Sequence, residues 1–198
     1  MRLIHGEIAS KDDVILITGN GAVDIRVLTG FVEKYDHSKR LLYPMSGIKT
    51  GIQSAIDTLT TLAHKLVNKI YMIIIDREHV ESFEQVLSEL RSHGFHIKDK
   101  RNLADNAFML DLYLGQKEIK LYISIFGFTK KGRIEENISK LIRIKYGRNI
   151  KPSKKEIRSW LRSRKLRDLD LIRMSSKDEL NKSFPALTAI IQEISKDC

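Results

Sequence analysis

Cysteine is almost absent: a single Cys198 in 198 residues leaves no intramolecular disulfide and no cysteine-based metal cluster. A reducing, cytoplasmic setting is therefore expected. No apolar run approaches the ~20 residues of a membrane span, and the first residues lack a signal peptide's apolar core, so no membrane role is expected. The six histidines show no His-Glu-x-x-His spacing, and no Ser-His-Asp set can be argued from spacing. Ser46, before Gly47, reads as a turn residue. A Gly-Lys-Ser/Thr phosphate loop is missing, as are internal repeats and low-complexity tracts.

What is present is a globular composition, 42% hydrophobic and 30% charged, long enough to bury a proper core. The net charge of +10 is unevenly placed. Residues 130–173 hold 16 Lys and Arg against 5 Asp and Glu, a local +11, so the rest of the chain carries −1. Such a block is either the footprint of a polyanion, most often nucleic acid, or a solvated helical surface. Its cations include Arg148, Lys151, Lys154, Lys155, Arg158, Arg162, Arg164, Lys165 and Arg167, clustered around Trp160. Trp160 itself either stacks on a base or packs inward with Ile157, Leu161 and Leu166.

The pattern along the chain predicts an α/β fold. Val14–Thr18 is a short apolar strand, followed by a Gly19-Asn20-Gly21 turn and an amphipathic helix to about Tyr35. A second strand over Arg40–Pro44 and a helix from Ile48 to Leu66 follow. The Ile-rich run from Lys69 reads as a central parallel strand, ending at Asp76 and Glu78. A third helix is expected from Val80 to about Gly94. Alternating strands and helices imply right-handed crossovers and a mainly parallel sheet. Phe95–Ile97 predicts a further strand, and the segments 107–114 and 119–126 predict an antiparallel hairpin. Helices are expected over Ile134–Tyr146, from Lys154 to about Leu166, and over Ala186–Ile194. The expected organisation is an α/β core with its hairpin at 1–128 and a basic helical extension packed on it at 129–198.

Ligands in open α/β sheets bind beyond the carboxyl ends of the strands, where Asp76 and Glu78 stand. Two carboxylates one residue apart suit a hard cation, magnesium or manganese (Mg2+ or Mn2+), together with phosphate oxygens. The bland alternative is that they cap the following helix. Asp24 likewise suits the first turn of its helix, and His79 reads as a surface histidine beside the acids.

Asn20-Gly21-Ala22-Val23-Asp24, with Leu28, resembles the Glu-Gly-x-x-Asp motif that opens a Toprim domain, the catalytic fold of topoisomerases, primases and OLD-type nucleases. Asp76-Arg77-Glu78 resembles that family's second motif, Asp-x-Asp at a strand end. Gly132-Arg-Ile-Glu135 and Phe184-Pro-Ala-Leu187 are similar to features of small standalone Toprim-like proteins, so the likeness spans most of residues 10 to 195. It implies a Toprim-like Rossmannoid sheet and a catalytic set of Asn20, Asp24, Asp76 and Glu78. Asp76 and Glu78 would hold the cation, with Glu135 as a third carboxylate. Asn20 replaces the motif glutamate, and an amide carries no proton across a reaction near neutral pH. Three functions stay open: a metal-dependent nuclease-like enzyme, a nucleic-acid-binding or partner-docking module without catalysis, and a nucleotide-binding regulator. A homo-oligomer or a protein partner is compatible with each.

Overall fold

An unbroken apolar strand needs cover on both faces, and the tertiary structure supplies it. The computed structural model describes residues 2–5, 13–18, 22–35, 40–43 and 51–196, without the side chains of 2–5 and 22–24. The first half runs β1 (Arg2–His5), β2 (Val14–Thr18), α1 (Ala22–Lys34), β3 (Arg40–Tyr43), α2 (Ile52–Lys65) and β4 (Ile70–Asp76). A one-turn 3-10 helix (Arg77–His79) leads to α3 (Phe83–Ser92), then β5 (Phe95–Ala104), β6 (Ala107–Leu114) and β7 (Lys117–Phe126). Five helices close the chain: α4 (Ile134–Tyr146), α5 (Lys154–Ser163), α6 (Asp168–Met174), α7 (Lys177–Ser183) and α8 (Pro185–Lys196).

The strands form one mixed, mostly parallel seven-stranded sheet in the order β1-β3-β2-β4-β7-β6-β5. Its pairs are parallel as far as β7, and β7-β6-β5 are antiparallel. Side chains alternate across each strand. Val14, Leu16, Met72 and Ile74 therefore face α1, α4 and the later helices, whereas Ile15, Ile17, Tyr71, Ile73 and Ile75 face α2 and α3. The helices beyond residue 129 share the first of these two cores. Among the described residues no helix is long and apolar enough to cross a membrane.

From β2 the chain moves outward to β3 and then returns past β2 to β4. The connections thus leave the adjacent carboxyl ends of β2 and β4 in opposite directions, which opens a crevice there. Thr18, the last residue of β2, is in register with Ile74, two residues before Asp76.

Several elements differ from expectation. β1 has no sequence pattern to announce it. β5 runs on to Ala104 although Lys98–Asn102 lack alternation, because pairing with β6 through two register shifts holds it. α3 starts at Phe83, after the N-cap Ser82, instead of at Val80. α5 stops at Ser163. The seven-residue α6 and α7 are too short to show a period. Local capping starts them: the Arg167 N–H donates to Asp170 (3.0 Å), and Ser176 and Glu179 form a reciprocal capping box.

Candidate functional site

Strand parity determines where Asp76 points. It shares the face of Met72 and Ile74, so its carboxylate turns under the start of α4 and is only 7% exposed. There Oδ1 accepts a hydrogen bond from Ile134 N at 2.9 Å, satisfying a helix N–H that has no intrahelical partner. Asp76 thus caps, from the strand next to β7, the helix that follows β7, and its own following helix, α3, is capped by Ser82 instead. Burial pushes the Asp76 carboxyl from 3.8 up to about 7; the Ile134 N–H and Lys154 oppose that shift, and Glu135 and Glu78 add to it.

Glu135 lies in the first turn of α4, only 4% exposed. Neither of its carboxylate oxygens has a hydrogen-bond partner among the described residues. A buried carboxylate without a partner costs roughly several kcal/mol unless something compensates it, so this pair of oxygens calls for a partner.

Glu78 sits at the rim. Its Oε2 accepts from Arg133 Nε and Nη2, both at 2.6 Å, and His79 Nε2 lies 3.6 Å from Oε1. The Glu78 N–H also donates to the Gly132 carbonyl at 3.1 Å, fastening the strand end to the turn before α4. That turn is clamped by Glu136, which accepts from the Phe128 and Thr129 N–H groups and from Thr129 Oγ1. The three acids 76, 78 and 135 are brought to one end of the sheet. As they stand, no three His, Cys, Asp or Glu among the described residues form a metal-holding group. Asn20 lies outside the described residues. Asp24 falls in the first turn of α1 as expected, and its side chain lies outside them too.

A cleft of about 290 Å³ opens beside the acids, lined by Lys131, Arg133, Glu135, Glu136, Ser153 and Lys154. It joins the acids to the amino end of α5. A larger open cleft of about 630 Å³ lies among Val67, Lys69, Lys98 and Glu118, at the amino ends of β4 and β7. That is the wrong end of a parallel sheet for a ligand crevice.

All nine cations named from the sequence are exposed. Lys155, Arg158 and Arg162 follow one another at i, i+3 and i+7 on α5, on an exposed face distinct from that of the buried Ile157 and Leu161. Arg167 pairs with Asp170 at 3.1 Å. Trp160 is half-buried against the core, with its ring 5.1 Å from that of Tyr146 and the Arg164 guanidinium 4.7 Å above it. Sequence reasoning missed Arg133 as the partner of Glu78, Glu136 as the clamp of the turn, and the exposure of Phe128. The first two are long-range pairings with no local signal, and an aromatic just after a strand reads as core. No family model matches this chain, and no curated protein or solved structure matches it either.

Proposed function

We propose that the chain is a Toprim-like nucleic-acid-processing protein whose acids hold a divalent cation for nuclease-like phosphodiester chemistry. The observation that carries this reading is the buried carboxylate of Glu135, without a hydrogen-bond partner among the described residues, beside Asp76 at the carboxyl end of β4. Orphaned carboxylate oxygens suit a hard cation, which binds through one or two carboxylates and takes its other ligands from water and phosphate. Asp76 and Glu135 would be its ligands, joined by Glu78 when Arg133 moves to a phosphate. The cation would neutralise phosphodiester charge and polarise the bond for attack. The adjacent parallel placement of β2 and β4 supports the likeness, because the two motifs follow those strands. Lys154, close enough to act on Asp76, and the basic face of α5 would hold the backbone of the strand.

Calorimetric titration of manganese and magnesium, followed by an oligonucleotide cleavage assay, tests this. Wild type should bind and cleave, whereas Asp76→Ala and Glu135→Gln should remain folded and lose both. A wild type that shows neither heat nor cleavage sinks the enzymatic reading.

A second reading, a nucleic-acid-binding module without catalysis, is favoured by the Arg133–Glu78 pair and by Asn20. It predicts oligonucleotide affinity that is indifferent to Asp76→Ala. In either case Arg158→Ala with Arg162→Ala should lower the salt dependence of log K by about 2, roughly 1 for each lost phosphate contact. Unchanged affinity and slope would remove α5 from the interface.

A further inference from the structure

We propose that Phe128 is a stacking platform for an unpaired base, so that the nucleic acid entering this cleft is single-stranded. The inference rests on the nucleic-acid reading above and deepens it. Phe128 is 46% exposed, and of the large hydrophobic side chains exposed among the described residues it is the aromatic one.

The exposure is not a by-product of a loose loop. Glu136 accepts from Phe128 N at 2.6 Å, Thr129 N at 3.1 Å and Thr129 Oγ1 at 2.6 Å. Burial opposes ionisation of Glu136, yet the hydrogen bonds from Thr129 and Phe128 outweigh it and hold the carboxyl below its usual range. Gly127 N donates to Asn137 Oδ1 at 2.8 Å, Asn106 Nδ2 to Gly127 O at 3.3 Å, and Gly132 N to Thr129 O at 2.8 Å. A turn tied down at this many points holds the Phe128 backbone in one place, and with it the base of the exposed ring. Such preorganisation lowers the entropy lost when a ligand binds, whereas an apolar ring left in water is otherwise unfavourable.

The surroundings indicate the partner's chemistry. Lys140 Nζ lies 4.2 Å from the ring centroid, Lys130 and Lys131 follow in the same turn, and Lys131 and Arg133 line the cleft that holds Glu135. The nearby acids Glu136 and Glu78 are each engaged, by the turn and by Arg133. An aromatic ring with cations around it is the pattern that binds single strands, with bases on the ring and phosphates on the cations. A duplex keeps its base faces covered and has none to offer.

The test uses the full chain, a labelled oligothymidylate, the same oligonucleotide with one base removed at each position in turn, and a duplex of equal length. Phe128→Ala should weaken binding of the single strand about 10- to 100-fold, the effect of losing one stacked base. Duplex binding should not change, and Phe128→Tyr should restore the single-strand affinity. Removing one particular base should weaken wild type by a similar factor and have no further effect in Phe128→Ala. Equal losses on single strand and duplex, or base-removal effects that persist in Phe128→Ala, would overturn the stacking role and leave the nucleic-acid reading standing. A wild type that binds no oligonucleotide overturns both.

Discussion

Asp76→Asn should make the metal-free protein more stable at pH 8 and leave its stability near pH 4 unchanged. The asparagine Oδ1 can still accept from Ile134 N, so the cap on α4 survives. What disappears is the penalty for ionising a buried carboxyl, whose pKa rises from 3.8 to about 7 on folding. Well below pH 3.8 the carboxyl is protonated in both states and contributes nothing. Between pH 4 and 7 the unfolded chain releases the proton that the folded chain retains, so stability falls by about 1.4 kcal/mol per pH unit. Above pH 7 both states are ionised and the whole penalty, on the order of 4 kcal/mol, is present. A gain of up to about 4 kcal/mol at pH 8 would raise the melting temperature by up to roughly 8–16 °C. Urea denaturation at pH 8, 6 and 4.5 in the presence of a chelator measures it. A variant less stable than wild type at pH 8, or a gain independent of pH, would mean that the buried carboxylate is compensated in the native state. The same substitution should abolish the manganese heat, trading stability against the proposed function.

Gly127→Ala should be among the most damaging single changes available to the chain. Its φ of +94° lies in the left-handed region, and a Cβ there would sit 2.3 Å from the Gly132 carbonyl carbon, 2.4 Å from its Cα and 2.6 Å from Arg133 N. All three are backbone atoms, which cannot rotate aside. The contact matters because it fastens the end of β7 to the turn before α4, and that turn delivers Ile134 N to Asp76 and Glu135 into the cleft. Opening it costs the close approach and the cap together, on the order of 4 kcal/mol or more. Gly147→Ala is the control. It has a similar left-handed φ of +64°, at the end of α4, but nothing among the described residues lies within 4 Å of its added Cβ. Strain alone should then cost about 1 kcal/mol. Thermal melts of the two variants compare the terms directly, and equal losses would show that the close approach at Gly127 relaxes without cost.

By itself the sequence determined the α/β class, the central buried strand and the acids at its end. Those signals are local: an Ile-rich run is apolar at every position because a central strand is covered on both faces, and it must become polar where it leaves the sheet. The exposed basic face of α5 was legible for the same reason, through helical periodicity. The tertiary structure decided what each acid does. Asp76 caps α4, 58 residues further on; Glu78 pairs with Arg133, 55 further on; and Glu136 has no visible task until the 127–132 turn folds against it. That Glu135 is buried with no hydrogen-bond partner among the described residues is likewise invisible in one dimension, because both are properties of everything that packs around a residue. Phe128 makes the same point in reverse. Its position after a strand suggests core, and only the tertiary structure shows the ring partly exposed on a turn that Glu136 clamps.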